Sequence, residues 1–349
     1  MDDRAKTPHM DPNLSLRQRG FEIDSSRARG LIYGFLFAPN RGLQELSWSE
    51  LDTALKRENA WLWLHFDAAN AFAREWLAHC QRLPEALREF LFDLDDRKHI
   101  EIVGESIIGV ISDVHYRFDF DPDHIATLRF YLDAHCLIST RRQPLSATDQ
   151  LRKAIREGLH YDNTATLMAS LFRFQAEMLG TVATRLNHEV GAIEDQILAE
   201  QIHDQRRQLG KIRRLAVRLH RHFAPEHHAL QRLCGRLPAW FSAADIRGLR
   251  EATEEFGEVV NELDAIQERA KLLQEELAAR NSEETNRNLF ILSIVTTILL
   301  PMTLITGIFG MNVAGLPGLK DPFAFWWVML GMVVVALIAL LLLHWKRLF

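Results

Sequence analysis

Leu289-Phe-Ile-Leu-Ser-Ile-Val-Thr-Thr-Ile-Leu-Leu-Pro-Met-Thr-Leu-Ile-Thr-Gly-Ile-Phe309 runs for 21 residues without a charged side chain, and Ala324 to Leu343 adds 20 more. A hydrocarbon core of about 30 Å is crossed by roughly 20 apolar residues in a helix, so each run predicts a membrane span. The competing reading is a buried core hairpin, but uncharged runs of this length are uncommon in soluble domains. Arg287 precedes the first span and Lys346-Arg347 follow the second, while the loop between them carries the cancelling pair Lys320 and Asp321. Positive charge at both outer ends places both termini in the cytoplasm and the loop outside. Trp326, Trp327 and Trp345 stand where interfacial aromatics are expected.

Outward from this hairpin the chain is of a different kind. Of 349 residues 25% are charged, too many for a mostly membranous protein, so a large soluble region is expected. Residues 289–349 carry a net +2 against a total of −5, which leaves −7 on residues 1–288 and argues against a nucleic-acid partner. Cys80, Cys136 and Cys234 lie far apart and form no CxxC pair, which fits free thiols in a reducing compartment rather than a disulfide framework. Met1 to Gly20 is polar, with no apolar stretch of signal-peptide type, so the soluble region is expected in the cytoplasm.

Residues 1–28 are charged and aperiodic and predict a flexible N-terminus. An α/β cytoplasmic domain is expected over 29–144. Strand candidates are Leu31–Phe37, Trp61–Phe66, Ile100–Val103, Ile107–Val114, Ala126–Leu132 and Cys136–Ser139, and helical spacing occurs over Ser47–Lys56, Ala71–Cys80 and Pro84–Leu94. Ser47 and Glu50 have the spacing of a capping box. Residues 145–288 predict a long-helix stalk in two stretches, with a bend at Pro225. The second stretch starts near the N-cap Ser242 and carries Leu249, Phe256, Val260, Leu263, Ile266, Ala270, Leu273 and Leu277 at intervals of three and four, a coiled-coil-like seam leading into the first span. Residues 289–349 form the transmembrane hairpin, with spans at 289–309 and 324–343.

The first span carries a polar stripe. Asn286, Leu289, Ser293, Thr296, Leu300, Thr303 and Gly307 fall on one face within an arc of about 100°. Two readings are open. Several copies around an axis would make a polar-lined pore with Leu289 and Leu300 as apolar constrictions, or the small residues serve close helix packing. No Asp, Glu, Lys, Arg or His lies in the span, so a dication passing along it would keep most of its water shell, and the span offers no proton relay.

The stripe runs into Thr306-Gly307-Ile308-Phe309-Gly310-Met311-Asn312, at the outer end of the first of two C-terminal spans. That placement resembles the CorA family of metal-ion transporters, whose signature is Gly-Met-Asn there, and the likeness extends over the whole plan of α/β domain, stalk and hairpin. The resemblance implies a homopentamer in the inner membrane, with the first span lining the pore. It gives Asn312 the outer ring that meets the hydrated ion, with Gly310 and Met311 shaping the turn. A simple helix-capping role for Asn312 is the other reading. The loop Val313-Ala314-Gly315-Leu316-Pro317-Gly318 lacks an acidic residue and is similar to that of the zinc-transporting ZntB branch, as are Trp63-Leu64-His65, Phe130-Tyr131-Leu132-Asp133 and Leu137-Ile138-Ser139-Thr140-Arg141. Met311 departs from the branch, some members of which carry Val. The resemblance thus implies zinc transport, with or without proton coupling, over a Mg2+, Co2+ or Ni2+ channel. A membrane-anchored coiled-coil scaffold or sensor is the reading without transport.

Other constellations carry less. His220, His222, His227 and His228, with Glu226 and Cys234, invite a zinc site but sit among arginines as a solvated basic surface would. Asp119, Asp121, Asp123 and His124 lack the Gly and distal Glu of an EF-hand and read as a turn. Asp93, Asp95 and Asp96 weakly resemble acidic regulatory contacts of magnesium-sensing relatives. The acidic stalk, Glu251 to Glu284, would either draw cations or pair with the basic run Arg206 to Arg221. No P-loop, nucleophile elbow or HExxH motif occurs, so an enzyme is not expected, nor a cofactor besides the transported cation, and the metal ligands are unassigned.

Overall fold

The computed structural model describes residues 25–38, 42–57, 59–93, 97–114, 125–199, 204–311, 316 and 322–345. The chain divides into two compact units, residues 1–272 and 273–349. The first contains a seven-stranded sheet made of β1 (Leu31–Ala38), β2 (Gly42–Glu45), β3 (Trp61–Asp67), β4 (His99–Val103), β5 (Ser106–Val114), β6 (Ile125–Leu132) and β7 (Cys136–Arg141). Its order is β2-β1-β3-β7-β6-β5-β4, with β3 and β7 parallel and every other neighbouring pair antiparallel.

All six expected strands form, and β2 is an addition. It is a four-residue edge strand opening on a left-handed Gly42 (φ +67°), too short and too exposed for an alternating pattern. The register of β1 against β3 is set by aromatic cross-strand pairs, Tyr33 with His65, Phe35 with Trp63 and Phe37 with Trp61. Their ring centroids lie 4.7, 6.0 and 3.8 Å apart, and such pairs contribute roughly 0.5–1.5 kcal/mol each beyond burial.

One face of the sheet packs Leu62, Leu64, Phe66, Ile108, Tyr131 and Ile138 against α1 (Ala71–His79) and short helical turns. Asn70 caps α1 by accepting from the backbone of Phe72 and Ala73. Two expected helices shrink: Ser47–Lys56 becomes a 3-10 turn and the one-turn helix Leu51–Ala54, and Pro84–Leu94 becomes Glu85–Arg88 and a 3-10 turn. At the Ser47–Glu50 box, the Ser47 N–H donates to Glu50 Oε2 at 2.8 Å.

The next region is split more finely than two stretches. α2 (Ser146–Arg156), α3 (Thr164–Leu198) and α4 (Gln205–Gly235) precede α5 (Ala243–Phe309). Pro225, where a bend was expected, does not end a helix: it sits inside α4, which continues to Gly235. A proline removes one backbone donor, and here the fully buried Phe223, Ala229 and Leu230 hold the helix on both sides of it. At the start of α5, Ser242 Oγ accepts from the Asp245 N–H (3.1 Å) and the Ser242 N–H donates to Asp245 Oδ2 (2.9 Å), a reciprocal N-cap. All eight residues of the predicted seam, Leu249 to Leu277, are buried.

The second unit holds the end of α5 and α6 (Ala324–Trp345). Both helices are long and apolar enough to cross a membrane, and their apolar windows are unburied. The expected plan is the observed one, an α/β domain followed by long helices and a C-terminal hairpin.

Candidate functional site

Within 289–309 α5 has two unlike faces. Phe290, Ile294, Ile298, Pro301, Met302 and Ile305 are half-covered. Asn286, Leu289, Ser293, Thr296, Leu300, Thr303 and Gly307 are all exposed, Leu289 at 58% and Leu300 at 62%. At 100° per residue the two sets are centred about 150° apart, so the polar stripe faces away from the face its own unit covers.

The threonine hydroxyls on the stripe have a fixed polarity. Thr296 Oγ1 donates to the Leu292 carbonyl and Thr303 Oγ1 to the Leu299 carbonyl, both at 2.8 Å. With the only O–H donor turned onto the helix, each oxygen offers lone pairs outward. Water bound to a cation turns its hydrogens away from the ion, so acceptors suit such a water shell.

α5 ends at Phe309. The Gly310 N–H donates to Thr306 O at 2.8 Å, and a Cβ on Gly310 would lie 2.8 Å from that same oxygen. Glycine is therefore required by space at the helix end, while its φ is not in the left-handed region. At Gly307 a Cβ would meet nothing within 4 Å, so the chain's own packing makes no demand for glycine. Met311 is exposed. Asn312, Val313 to Gly315, Pro317 to Asp321 and Lys346-Arg347 lie outside the described residues, as do Asp95, Asp96 and the group Asp119 to His124.

The strings that resemble the zinc branch come together in the sheet. β3 and β7 run side by side, with Trp63 opposite Leu137 and His65 opposite Ser139. Ser139 Oγ lies 3.0 Å from Trp63 Nε1 and 2.8 Å from His65 Nδ1. Burial, aided by Arg141 and Arg152, pushes His65 well below the ordinary imidazole range, so it is neutral at pH 7. Asp133 accepts two bonds from Arg82 (3.0 and 2.9 Å) and the His135 and Cys136 N–H groups, each at 2.8 Å, fixing the β6–β7 turn. These are structural roles.

The histidine cluster does not assemble. Among the described residues no three His, Cys, Asp or Glu side chains are placed to hold a metal ion. His227 lies against Phe256, its pKa lowered by burial, and its ring fills the space a Cβ on Gly257 would need. Cys234 sits 3.5 Å from the Thr253 hydroxyl, and Glu226 is buried away from the histidines' solvent side. On the acidic stalk, Arg173 pairs with Glu251 (3.0 Å) and Glu255 (4.0 Å), and Arg280 with Glu276 (2.6 Å). Arg269 joins α5 to Glu194 on α3. Pairing thus accounts for part of the acid, through Arg173 on α3 and Arg280 on α5 itself.

No motif announced a second set of polar residues, deep in the first unit. Asp113 accepts from the backbone of Val114 (2.7 Å), Ala147 (3.1 and 3.2 Å) and Thr148 (3.4 Å), capping α2 from the sheet. Burial raises its pKa to about 7, against the pull of those bonds and of Arg141.

Residues 58–347 match the family model described as CorA-like Mg2+ transporter protein. The chain is 28% identical over 305 residues to a divalent cation transporter, CmaX, of Pseudomonas aeruginosa, covering 87% of this chain and 92% of that one. It is 26% identical over 263 residues to the zinc transport protein ZntB of Yersinia enterocolitica, covering 75% and 80%. The structure of full-length CmaX superposes with a TM-score of 0.78 at 27% identity, over 91% of this chain and 98% of that one. With the family model matched across five of the seven strands, the long helices and the hairpin, the chain belongs to the CorA family and is one of its divalent cation transporters.

Proposed function

We propose that the chain is a zinc transporter that works as a homopentamer in the inner membrane, with both termini in the cytoplasm. In this reading residues 29–144 are the cytoplasmic α/β domain, 145–288 the stalk and 289–349 the membrane hairpin. The first span is the pore wall, lined by Asn286, Leu289, Ser293, Thr296, Leu300, Thr303 and Gly307. Gly310, Met311 and Asn312 form its outer mouth.

The observation that carries the pore is the polarity of the stripe. Its threonine donors are turned onto the helix, its oxygens face outward, and its side is the one the second unit leaves uncovered. In lipid an exposed polar stripe is unfavourable, and identical copies around an axis would shelter it while leaving acceptors around a water-filled path. Leu289 and Leu300 would then be rings that constrict and dewet it.

Zinc is favoured by the likeness to ZntB and by the uncharged loop after Asn312, and the reading allows proton coupling. The second reading, a Mg2+, Co2+ or Ni2+ channel, is favoured by the description of the family model. Purified protein in liposomes, loaded in turn with zinc- and magnesium-sensitive dyes, tests both. Zinc influx is expected, and it should fall on Asn312→Ala with the oligomer unchanged. Magnesium flux without zinc flux would overturn the ion, and no flux of any dication would return the scaffold reading. Repeating the measurement with an imposed pH gradient tests the coupling.

A further inference from the structure

β5 is longer than its neighbour. The β4–β5 ladder begins at His99 with Val110, so beyond Val110 the backbone of β5 lacks a β4 partner. At Ser112 two side chains from the helical layer take that partner's place. The Ser112 N–H donates to Glu226 Oε2 on α4 at 2.8 Å, and Gln175 Nε2 on α3 donates to the Ser112 carbonyl. Glu226 and Gln175 are both completely buried. Among the described residues, Glu226 Oε1 and Gln175 Oε1 are buried without a hydrogen-bond partner, and the Gln175 amide is the neutral side chain acting on the Glu226 carboxyl.

A carboxylate here would add negative charge to a site already rich in acceptors, whereas a carboxylic acid brings one donor. The charged groups acting on it are Lys98, ahead of β4, which favours ionisation, and Asp113 on β5, which opposes it. Lys98 is itself engaged by Thr127 Oγ1 at 2.7 Å. We propose that Glu226 is a proton-binding site of the soluble unit, held as the neutral acid, whose ionisation places an uncompensated buried charge at the bridge that ties α3 and α4 to β5. This makes the sheet-to-helix attachment less stable as pH rises, independently of which ion the protein carries.

The electrostatics agree. Burial, the largest influence, raises the Glu226 carboxyl from the ordinary 4.5 to about 8, and the Ser112 N–H, Lys98 and the Gln175 amide only partly oppose it. Because the folded state holds this proton more tightly than the unfolded chain, the site's contribution to stability is complete at acid pH. It declines as pH rises from about 4.5 towards 8 and is level above that.

The test compares full-length wild type with Glu226→Gln, a neutral isostere, in lipid vesicles. Between about pH 6 and about pH 9 the wild-type Tm should fall, and E226Q should fall by less and be the more stable of the two at the higher pH. Infrared difference spectra should show a protonated-carboxyl band at about pH 6 that is missing from E226Q, shifted in Glu226→Asp and lost from the wild type by about pH 9. Parallel Tm curves for wild type and E226Q would overturn the proposal. So would the lack, at the lower pH, of a carboxyl band that responds to Glu226→Asp, a readout that stands even where E226Q fails to fold.

Discussion

Between Ala243 and Phe309 a single continuous helix carries two contrary patterns. From Leu249 to Leu277 its recurring residues are apolar and buried. From Asn286 to Gly307 the recurring residues are polar, small or leucine, and every one of them is exposed. The first segment has a seam that its own chain completes, and the second has a stripe that its own chain leaves open. Periodicity alone reports that a helix has a special face, and the identity of the residues on that face tells what must cover it.

The largest effect should come from breaking the completed side. Phe256→Ala removes a fully buried ring that meets Phe223 edge-on (centroids 6.0 Å) and should cost about 3–5 kcal/mol, measured as the loss of unfolding free energy. Ser242→Ala removes the N-cap of the same helix and should cost about 1 kcal/mol by the same measurement. On the open side, Leu300→Ala should change the stability of a single chain by only about 0.5 kcal/mol or less, since Leu300 is 62% exposed. If Leu300 is a constriction, that variant should nevertheless raise dication flux in liposomes. Thr303→Val keeps the shape of the side chain and removes the outward lone pairs. It should leave the Tm within about 1 °C and reduce flux a few-fold, and unchanged flux would move Thr303 from the pore wall to simple packing.

Much of this was legible because the decisive patterns are local. Twenty-one uncharged residues, an eight-position seam and six β-rich runs are statements about neighbours in sequence, and each maps onto an element. The misreadings arose where a distant contact overrode a local rule. Pro225 ordinarily ends or bends a helix, yet packing of Phe223 and Leu230 carries α4 through it. Four histidines close in sequence read as a solvated basic surface, but a helix disperses side chains around its axis, and His227 turns onto Phe256 and Gly257 instead. The short edge strand β2 carries too few residues to show a period.

By itself the sequence determined the apolar spans, the polar stripe on the first of them, the Gly-Met-Asn at its end and six of the seven strands, because composition and spacing within one segment suffice for these. Only the tertiary structure decided which side of the stripe helix is covered, that Trp63 and His65 meet on Ser139, and that Ser112 draws together Gln175 and Glu226 from positions 63 and 114 residues away. Such contacts depend on how the sheet orders its strands and where the helices cross it, and no spacing along the chain encodes the burial that raises the pKa of a carboxyl such as Glu226.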